Sequence, residues 1–235
     1  MIQSLPPKAI SFDLDDTLWP CADVIERAER KLYAWLVEHY PAIPAAYSRE
    51  EMRQARLALA SRRTDLAADL SRLRRVSLQQ HAREVGYPPD LAEAAIEVFL
   101  AERHCVNLYP DVLPLLERLR GQVPLIALTN GNACVKRVGI GDYFDLSLSA
   151  ADVGAAKPDP AMFRAACEHL SLRPNDLLHV GDDPLRDVHA ARSLGARTVW
   201  VNRAGASWPT ELAPAAHEVT DLGALEHVSG LAGRG

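Results

Sequence analysis

Apolar and polar positions change their period twice along this chain, and the changes divide it into three stretches. The first stretch contains Ala9-Ile10-Ser11-Phe12-Asp13-Leu14, a short apolar run that closes on an acid. Such a run reads as a buried strand whose carboxyl end carries polar residues. From about Asp23 to Arg103 the period becomes helical, in a segment rich in Ala, Leu, Arg and Glu. Ile25, Ala28, Leu32 and Trp35 fall on one helical face, with Glu and Arg opposite. Pro41 and Pro44 interrupt that helix, and Ser48 begins the next as an N-cap with Glu51 as its capping-box partner. Gly86-Tyr87-Pro88-Pro89 punctuates again before a last helix through about Leu100. The segment predicts a compact bundle of about four helices and holds no strand candidate.

After Tyr109-Pro110, strand and helix alternate. Val112, Leu115, Leu116 and Leu119 give a helical stripe that Gly121 ends. Val123 to Leu128 is nearly continuous apolar sequence, the pattern of a parallel strand covered on both faces, and Phe144 to Leu148 is a weaker strand. Phe163, Ala166, Cys167 and Leu170 mark another helix. Leu177-Leu178-His179-Val180 and Thr198-Val199-Trp200-Val201 are two further strands, separated by a helix over about 185–194. This succession predicts an α/β fold, a doubly wound and mostly parallel sheet with right-handed crossovers. The expected boundaries are 1–19 and 105–235 for the α/β part and 20–104 for the helical insertion. Open α/β sheets bind ligands outside the carboxyl ends of their strands, so the insertion is expected to sit over that site as a cap. Ala204 to Ala216 reads as a surface loop, and the closing Gly-Arg-Gly as a mobile end.

Composition changes this picture little and narrows the function. A chain of 235 residues with 48% hydrophobic and 24% charged residues is ordinary for a soluble globular protein. A net charge of -5 speaks against nucleic-acid or anionic-membrane partners, which need clustered positive potential. The most basic stretch, Arg49 to Arg75, also carries Glu50, Glu51, Asp65 and Asp69, and reads as a solvated helix face. Cys21, Cys105, Cys134 and Cys167 are scattered and form no CxxC pair, which disfavours a zinc site or disulfide framework. Residues 1–10 lack the basic start and apolar run of a signal peptide, and no apolar run is long enough to span a bilayer. A soluble, cytoplasmic protein is expected. No feature of the sequence selects an oligomeric state.

Candidate chemistry lies where polar residues terminate apolar strands. The first strand ends in Asp13-Leu14-Asp15-Asp16-Thr17, the second in Thr129-Asn130-Gly131 and a later one in Gly181-Asp182-Asp183, while Lys157-Pro158 follows the weak third strand. Each alone reads as a turn or a helix cap. Four such clusters at strand ends in one chain point instead to one site. Asp13 and Asp182 at adjacent strand ends would repel, and a hard cation such as Mg²⁺, which prefers oxygen ligands and a substrate phosphate, resolves that. Thr129, Asn130 and Lys157 supply donors without negative charge, suited to a phosphoryl group. Asp13 is placed to attack phosphorus, and Asp15 to protonate the leaving alkoxide and then deprotonate water.

These clusters resemble the four motifs of the haloacid dehalogenase superfamily. Phe12-Asp13-Leu14-Asp15-Asp16-Thr17-Leu18 is similar to the first, Leu128-Thr129-Asn130-Gly131 to the second, Lys157-Pro158 to the third, and Gly181-Asp182-Asp183 with Asp187 to the fourth. The resemblance implies a Rossmann-like core and a C1-type helical cap. It also implies a metal held by the side chains of Asp13 and Asp182 and the main-chain carbonyl of Asp15. Asp183 and Asp187 are secondary members, each open to water-mediated metal binding, to orienting Lys157, or to capping the following helix. Two positions depart from the common pattern. Trp19-Pro20 stands where many relatives have an acid, with Trp19 read as a pocket wall or as cap packing, and Asp16 stands where many have Gly.

The expected activity is Mg²⁺-dependent hydrolysis of a small phosphorylated metabolite through an aspartyl-phosphate. A 2-haloacid dehalogenase is the nearest alternative, but it needs neither an acid for an alkoxide nor a metal, so Asp15, Asp182 and Asp183 favour phosphate esters. A sugar phosphomutase is a second alternative. A silent binding module would have lost one of these side chains. The runs Leu128 to Asn132, Gly141 to Phe144 and Leu178 to Asp183 are similar to bacterial phosphatases acting on FMN and 5-amino-6-(5-phosphoribitylamino)uracil. Arg27, Arg30 and Arg53 are candidates for an anionic substrate but read more simply as solvated. His179 reads as a packed core residue and His189 as exposed.

Overall fold

The computed structural model describes residues 6–225. The chain divides into two compact units. One comprises residues 6–20, 107–130 and 135–225, and the other comprises residues 21–106 with the short loop 131–134.

The first unit is built on six parallel strands: β1 (Ala9–Phe12), β2 (Leu125–Thr129), β3 (Leu146–Ser149), β4 (Leu177–Gly181), β5 (Arg197–Val201) and β6 (Glu218–Val219). Their order is β3-β2-β1-β4-β5-β6. β1, β2 and β4 are buried at every position, which is why they read as unbroken apolar runs rather than alternating ones. The chain builds outward from β1 on one side and then returns to build outward on the other. The switch falls between β1 and β4, where open sheets of this kind leave a crevice at the strand carboxyl ends. β6 is only two residues long, too short for a periodic signal, and was not expected from the sequence. The expected helix over about 185–194 is a π-helical turn, Pro184–His189, followed by an α-helix, Ala190–Leu194.

The second unit is helical: α1 (Cys21–His39), α2 (Ala42–Ala46), α3 (Arg49–Arg62), α4 (Leu70–Glu84) and α5 (Leu91–Arg103). Leu32, Leu36, Ile43, Leu78, Ile96 and Phe99 form its core. Ser48 and Glu51 make the expected capping box, with the Ser48 N–H donating to Glu51 Oε2 at 2.8 Å and the Glu51 N–H to Ser48 Oγ at 3.3 Å. The buried stripe of α1 is Val24, Ala28, Leu32 and Leu36, one position off the expected Ile25 and Trp35 at its ends. Trp35 instead lies beside His39 and Tyr40, ring centroids 4.9 and 5.3 Å away, and is only partly buried. Loop 131–134 joins this unit through Asn132, which accepts from Arg103 Nε at 3.2 Å and donates to Ser71 Oγ at 3.1 Å. Among the described residues no helix is long and apolar enough to cross a membrane. The closing Gly-Arg-Gly lies outside the described residues.

Candidate active site

β1 delivers Asp13 to the centre of the first unit. Its backbone N–H donates to the Val180 carbonyl at 2.9 Å, continuing the ladder to β4 one residue past the strand. The Asp13 residue is 8% exposed. Lys157, 3% exposed, reaches it from the segment after β3. The ammonium donates to Asp13 Oδ1 at 2.5 Å, to Asp187 Oδ1 at 2.6 Å and to the Leu128 carbonyl at 2.9 Å. An ammonium has three donors, and all three are spent. Asn130 fixes the Lys157 backbone reciprocally, its carboxamide donating to the Lys157 carbonyl at 2.8 Å and accepting the Lys157 N–H at 2.7 Å. Thr129 is the last residue of β2, directly before Asn130 in the chain, and is buried.

Asp15 and Asp16 sit in the turn after β1. The Trp19 indole N–H donates to Asp15 Oδ1 at 2.9 Å, and Trp19 is wholly buried. Trp19 is therefore a core side chain that holds Asp15, not the wall of an open pocket. Asp16 has a φ of 61°, a left-handed backbone that Asp tolerates better than most residues and Gly adopts freely. That conformation accounts for an Asp at a position where Gly is common.

The carboxyl end of β4 supplies the remaining acids. Asp182 accepts from the Thr17 hydroxyl at 3.1 Å, and its carbonyl accepts from the Trp200 indole at 2.7 Å. Asp183 caps the π-helical turn, accepting from the Leu185 and Arg186 N–H groups at 2.9 and 2.7 Å. Asp187 turns inward: Oδ1 meets Lys157 and, at 3.2 Å, His179 Nε2, while Oδ2 accepts the Asp183 N–H at 3.0 Å. Of this pair, Asp183 makes the cap contacts and Asp187 meets the Lys157 ammonium. A Cβ on Gly181 would lie 2.4 Å from Asp187 Cγ, so the inward carboxylate requires glycine there. His179 is a buried core residue as expected, but its Nδ1 meets Ser11 Oγ at 2.8 Å, linking β1 through the imidazole to Asp187 and Lys157. His189 is exposed.

Ser11, Trp200 and Arg203 were missed as site residues. Arg203 donates to the Thr17 carbonyl at 3.0 and 3.2 Å, pairs with Asp111 at 2.9 Å and lies 3.9 Å over the Tyr109 ring. Its position just beyond the carboxyl end of β5 was the available signal. Arg27, Arg30 and Arg53 each face an acid of their own unit, Glu102, Glu26 and Glu50, at 2.9, 4.0 and 2.8 Å.

The electrostatics favour a cation. Oxygens of Asp13, Asp182 and Asp187 all lie within 4.8 Å of one another. Burial raises the Asp13 carboxyl well above the usual range, with Asp187 and Asp182 adding to the rise against the pull of Lys157. Burial likewise pushes Asp182 up to about 7, with Asp187 and Asp16 adding and the Thr17 hydroxyl opposing. Burial acts on Asp187 too, yet Lys157 and His179 hold it low. Burial works against the Lys157 charge, but Asp13 and Asp187 keep it firmly protonated. Burial lowers His179 against the pull of Asp187, leaving it neutral at pH 7. Three carboxylates thus face one ammonium. The donors are all oxygen, which suits a hard divalent ion such as Mg²⁺. Both Asp187 oxygens are already engaged by protein donors, so Asp13 and Asp182 are the better-placed side chains for it.

Residues 7–195 match the family model of haloacid dehalogenase-like hydrolases. The chain is 31% identical over 214 residues to 5-amino-6-(5-phospho-D-ribitylamino)uracil phosphatase YigB of Escherichia coli (strain K12), covering 88% of this chain and 90% of that one. It is 36% identical over 144 residues to phosphoserine phosphatase of Thermus thermophilus, covering 59% and 58%. Among solved structures, 2-haloacid dehalogenase from Pseudomonas syringae pv. Tomato DC3000 aligns with a TM-score of 0.90 at 37% identity, over 96% of this chain and 99% of that one.

Proposed function

The chain belongs to the haloacid dehalogenase-like hydrolases, and from that premise we propose that it is a Mg²⁺-dependent phosphatase working through an aspartyl-phosphate on Asp13. The observation that carries this reading is Lys157, whose ammonium sits 2.5 Å from Asp13 and is held there by Asp187 and Asn130. Burial and the neighbouring acids raise the Asp13 carboxyl, and Lys157 pulls the other way, toward the ionised form a nucleophile needs, while holding it in place.

In the proposed reaction an Asp13 oxygen bonds to phosphorus while the bond to the leaving oxygen breaks. Asp15 gives its proton to that alkoxide. It then takes a proton from a water that attacks phosphorus, the bond to Asp13 breaks, and inorganic phosphate leaves. Thr129 and Lys157 offset charge on the transferring oxygens. Asn130 serves chiefly by fixing Lys157. Mg²⁺, held by the Asp13 and Asp182 side chains and the Asp15 carbonyl, would supply the positive charge that lets a phosphate dianion approach a carboxylate.

The substrate we propose is 5-amino-6-(5-phosphoribitylamino)uracil, supported by the similarity to the Escherichia coli phosphatase along nearly the whole chain, or FMN, on the resemblance of the core motif runs. The similarity to a 2-haloacid dehalogenase supports a second reading. A halide leaving group needs neither acid nor metal, so Asp15 braced by Trp19 and Asp182 braced by Thr17 favour the phosphate ester. A panel of FMN, the ribitylamino-pyrimidine phosphate, sugar phosphates and 2-chloropropionate separates these readings. Phosphate release is expected to fall with EDTA and return with Mg²⁺, and FMN or the pyrimidine to exceed the sugar phosphates. Equal rates would remove FMN and the ribitylamino-pyrimidine phosphate as substrates, and metal-independent chloride release would move the chain to the dehalogenases.

A further inference from the structure

His179 interrupts the apolar run of β4 with a polar ring that is only 1% exposed, and its neighbour Ser11 on β1 is wholly buried. The ring packs edge-on against Phe163, on the helix Ala161–His169, with centroids 4.7 Å apart. Ser11, His179 and Asp187 are the side-chain types of a hydrolytic triad. Two features deny them that use. No substrate reaches a wholly buried hydroxyl, and the ring meets serine through Nδ1 and the acid through Nε2, the reverse of a serine hydrolase.

The protons give the constellation a direction. Burial works against the Asp187 charge, yet Lys157 and His179 hold it ionised, so Asp187 only accepts. A neutral imidazole has one N–H, and Nε2 must carry it to donate to Asp187 Oδ1 at 3.2 Å. Nδ1 is then the acceptor, and the Ser11 hydroxyl donates to it at 2.8 Å. Asp187 Oδ1 also receives the Lys157 ammonium at 2.6 Å, and that ammonium reaches Asp13 at 2.5 Å. Two donors thus share one buried oxygen, and each weakens its pull on the other. Without the imidazole, Asp187 would draw Lys157 harder, at the expense of the bond to Asp13. We propose that His179 is a positioning residue for the reaction at Asp13: oriented by Ser11, its Nε2–H shares Asp187 with Lys157 and keeps the ammonium on the Asp13 carboxylate. This role rests on the phosphatase reading and adds how its cation is held.

Steady-state hydrolysis of p-nitrophenyl phosphate with Mg²⁺ by variants of the full chain tests it. A Gln amide nitrogen takes the place of Nε2, whereas the shorter Asn amide reaches only the place of Nδ1. His179→Asn should lower kcat by about tenfold or more, with KM changed by less than about threefold. His179→Gln should recover kcat to within about threefold of the wild type, even where both variants lose the same Tm. Ser11→Ala keeps the donor to Asp187 and should lower kcat less than His179→Asn does. Equal loss of kcat in the Asn and Gln variants, or a loss confined to KM, would overturn the proposal. Nitrogen NMR of the wild-type His179 ring keeps the test decisive if the variants fail to fold. A protonated Nε2 and a bare Nδ1 are expected at about pH 7, and the opposite tautomer or a doubly protonated ring would overturn the role. A wild type that releases no phosphate would remove the phosphatase reading and this role with it. An active wild type with the wrong variant pattern would remove the role alone.

Discussion

Lys157 in one unit and Arg74 in the other are both buried cations, and the fold treats them in opposite ways. Lys157 has every donor taken, by two carboxylates and a main-chain carbonyl. Arg74 has one nitrogen paired, to an oxygen it shares with Arg56, and two left buried without a partner among the described residues. The difference separates two uses of buried charge. A saturated cation holds a neighbouring carboxylate in one place, so a reaction at that carboxylate would need little reorganisation. An unsaturated one carries the cost of its unmet donors within the fold.

The comparison is tested most severely at Lys157. Lys157→Met leaves Asp13 and Asp187 buried without their cation, so a loss of about 3–5 kcal/mol in unfolding free energy is expected by denaturant titration. Turnover of p-nitrophenyl phosphate should fall by at least about 10²–10³-fold in the same variant. A fully stable, active Lys157→Met would show that saturation is incidental.

A smaller effect concerns the acids. Asp182, raised to about 7 in the folded chain from an unfolded value of about 3.9, binds more protons folded than unfolded between those limits. Its contribution therefore lowers metal-free stability as pH rises through that window. Mg²⁺ competes with the same protons, so the rise in Tm on adding Mg²⁺ should be larger at about pH 8 than at about pH 5. An equal rise at both would separate the ion from Asp182.

The smallest expected effect is at Arg74. Replacing an under-satisfied buried cation by Met of similar volume should be near neutral, or stabilising by about 1–4 kcal/mol. A loss matching that of Lys157→Met would erase the distinction between the two cations.

Most of the α/β unit was legible because its strands are buried on both faces and end abruptly in acid. Asp13, Asp15, Thr129, Lys157 and Asp182 stand out from apolar runs for that reason. The supporting network was not legible, since its partners meet only through the sheet. Ser11 and His179 are adjacent through the β1–β4 register, far apart in the chain. Asp187 shows its role only when a π-helical turn swings it over Gly181. In the helical unit, a mixed-charge period cannot tell Arg53, paired and exposed, from Arg74, packed on Phe99. Charge content sets which residues sit in a helix face, but the packing of α4 against α5 decides which of them is buried.

In the proposed reaction Asp13 carries the phosphoryl group. Acid quenching during steady turnover of p-nitrophenyl phosphate, borohydride reduction and peptide mass spectrometry test it most directly, because an acyl phosphate is reduced to an alcohol while a free carboxylate is not. Homoserine in place of Asp13 is expected. Homoserine at a different acidic position would contradict it.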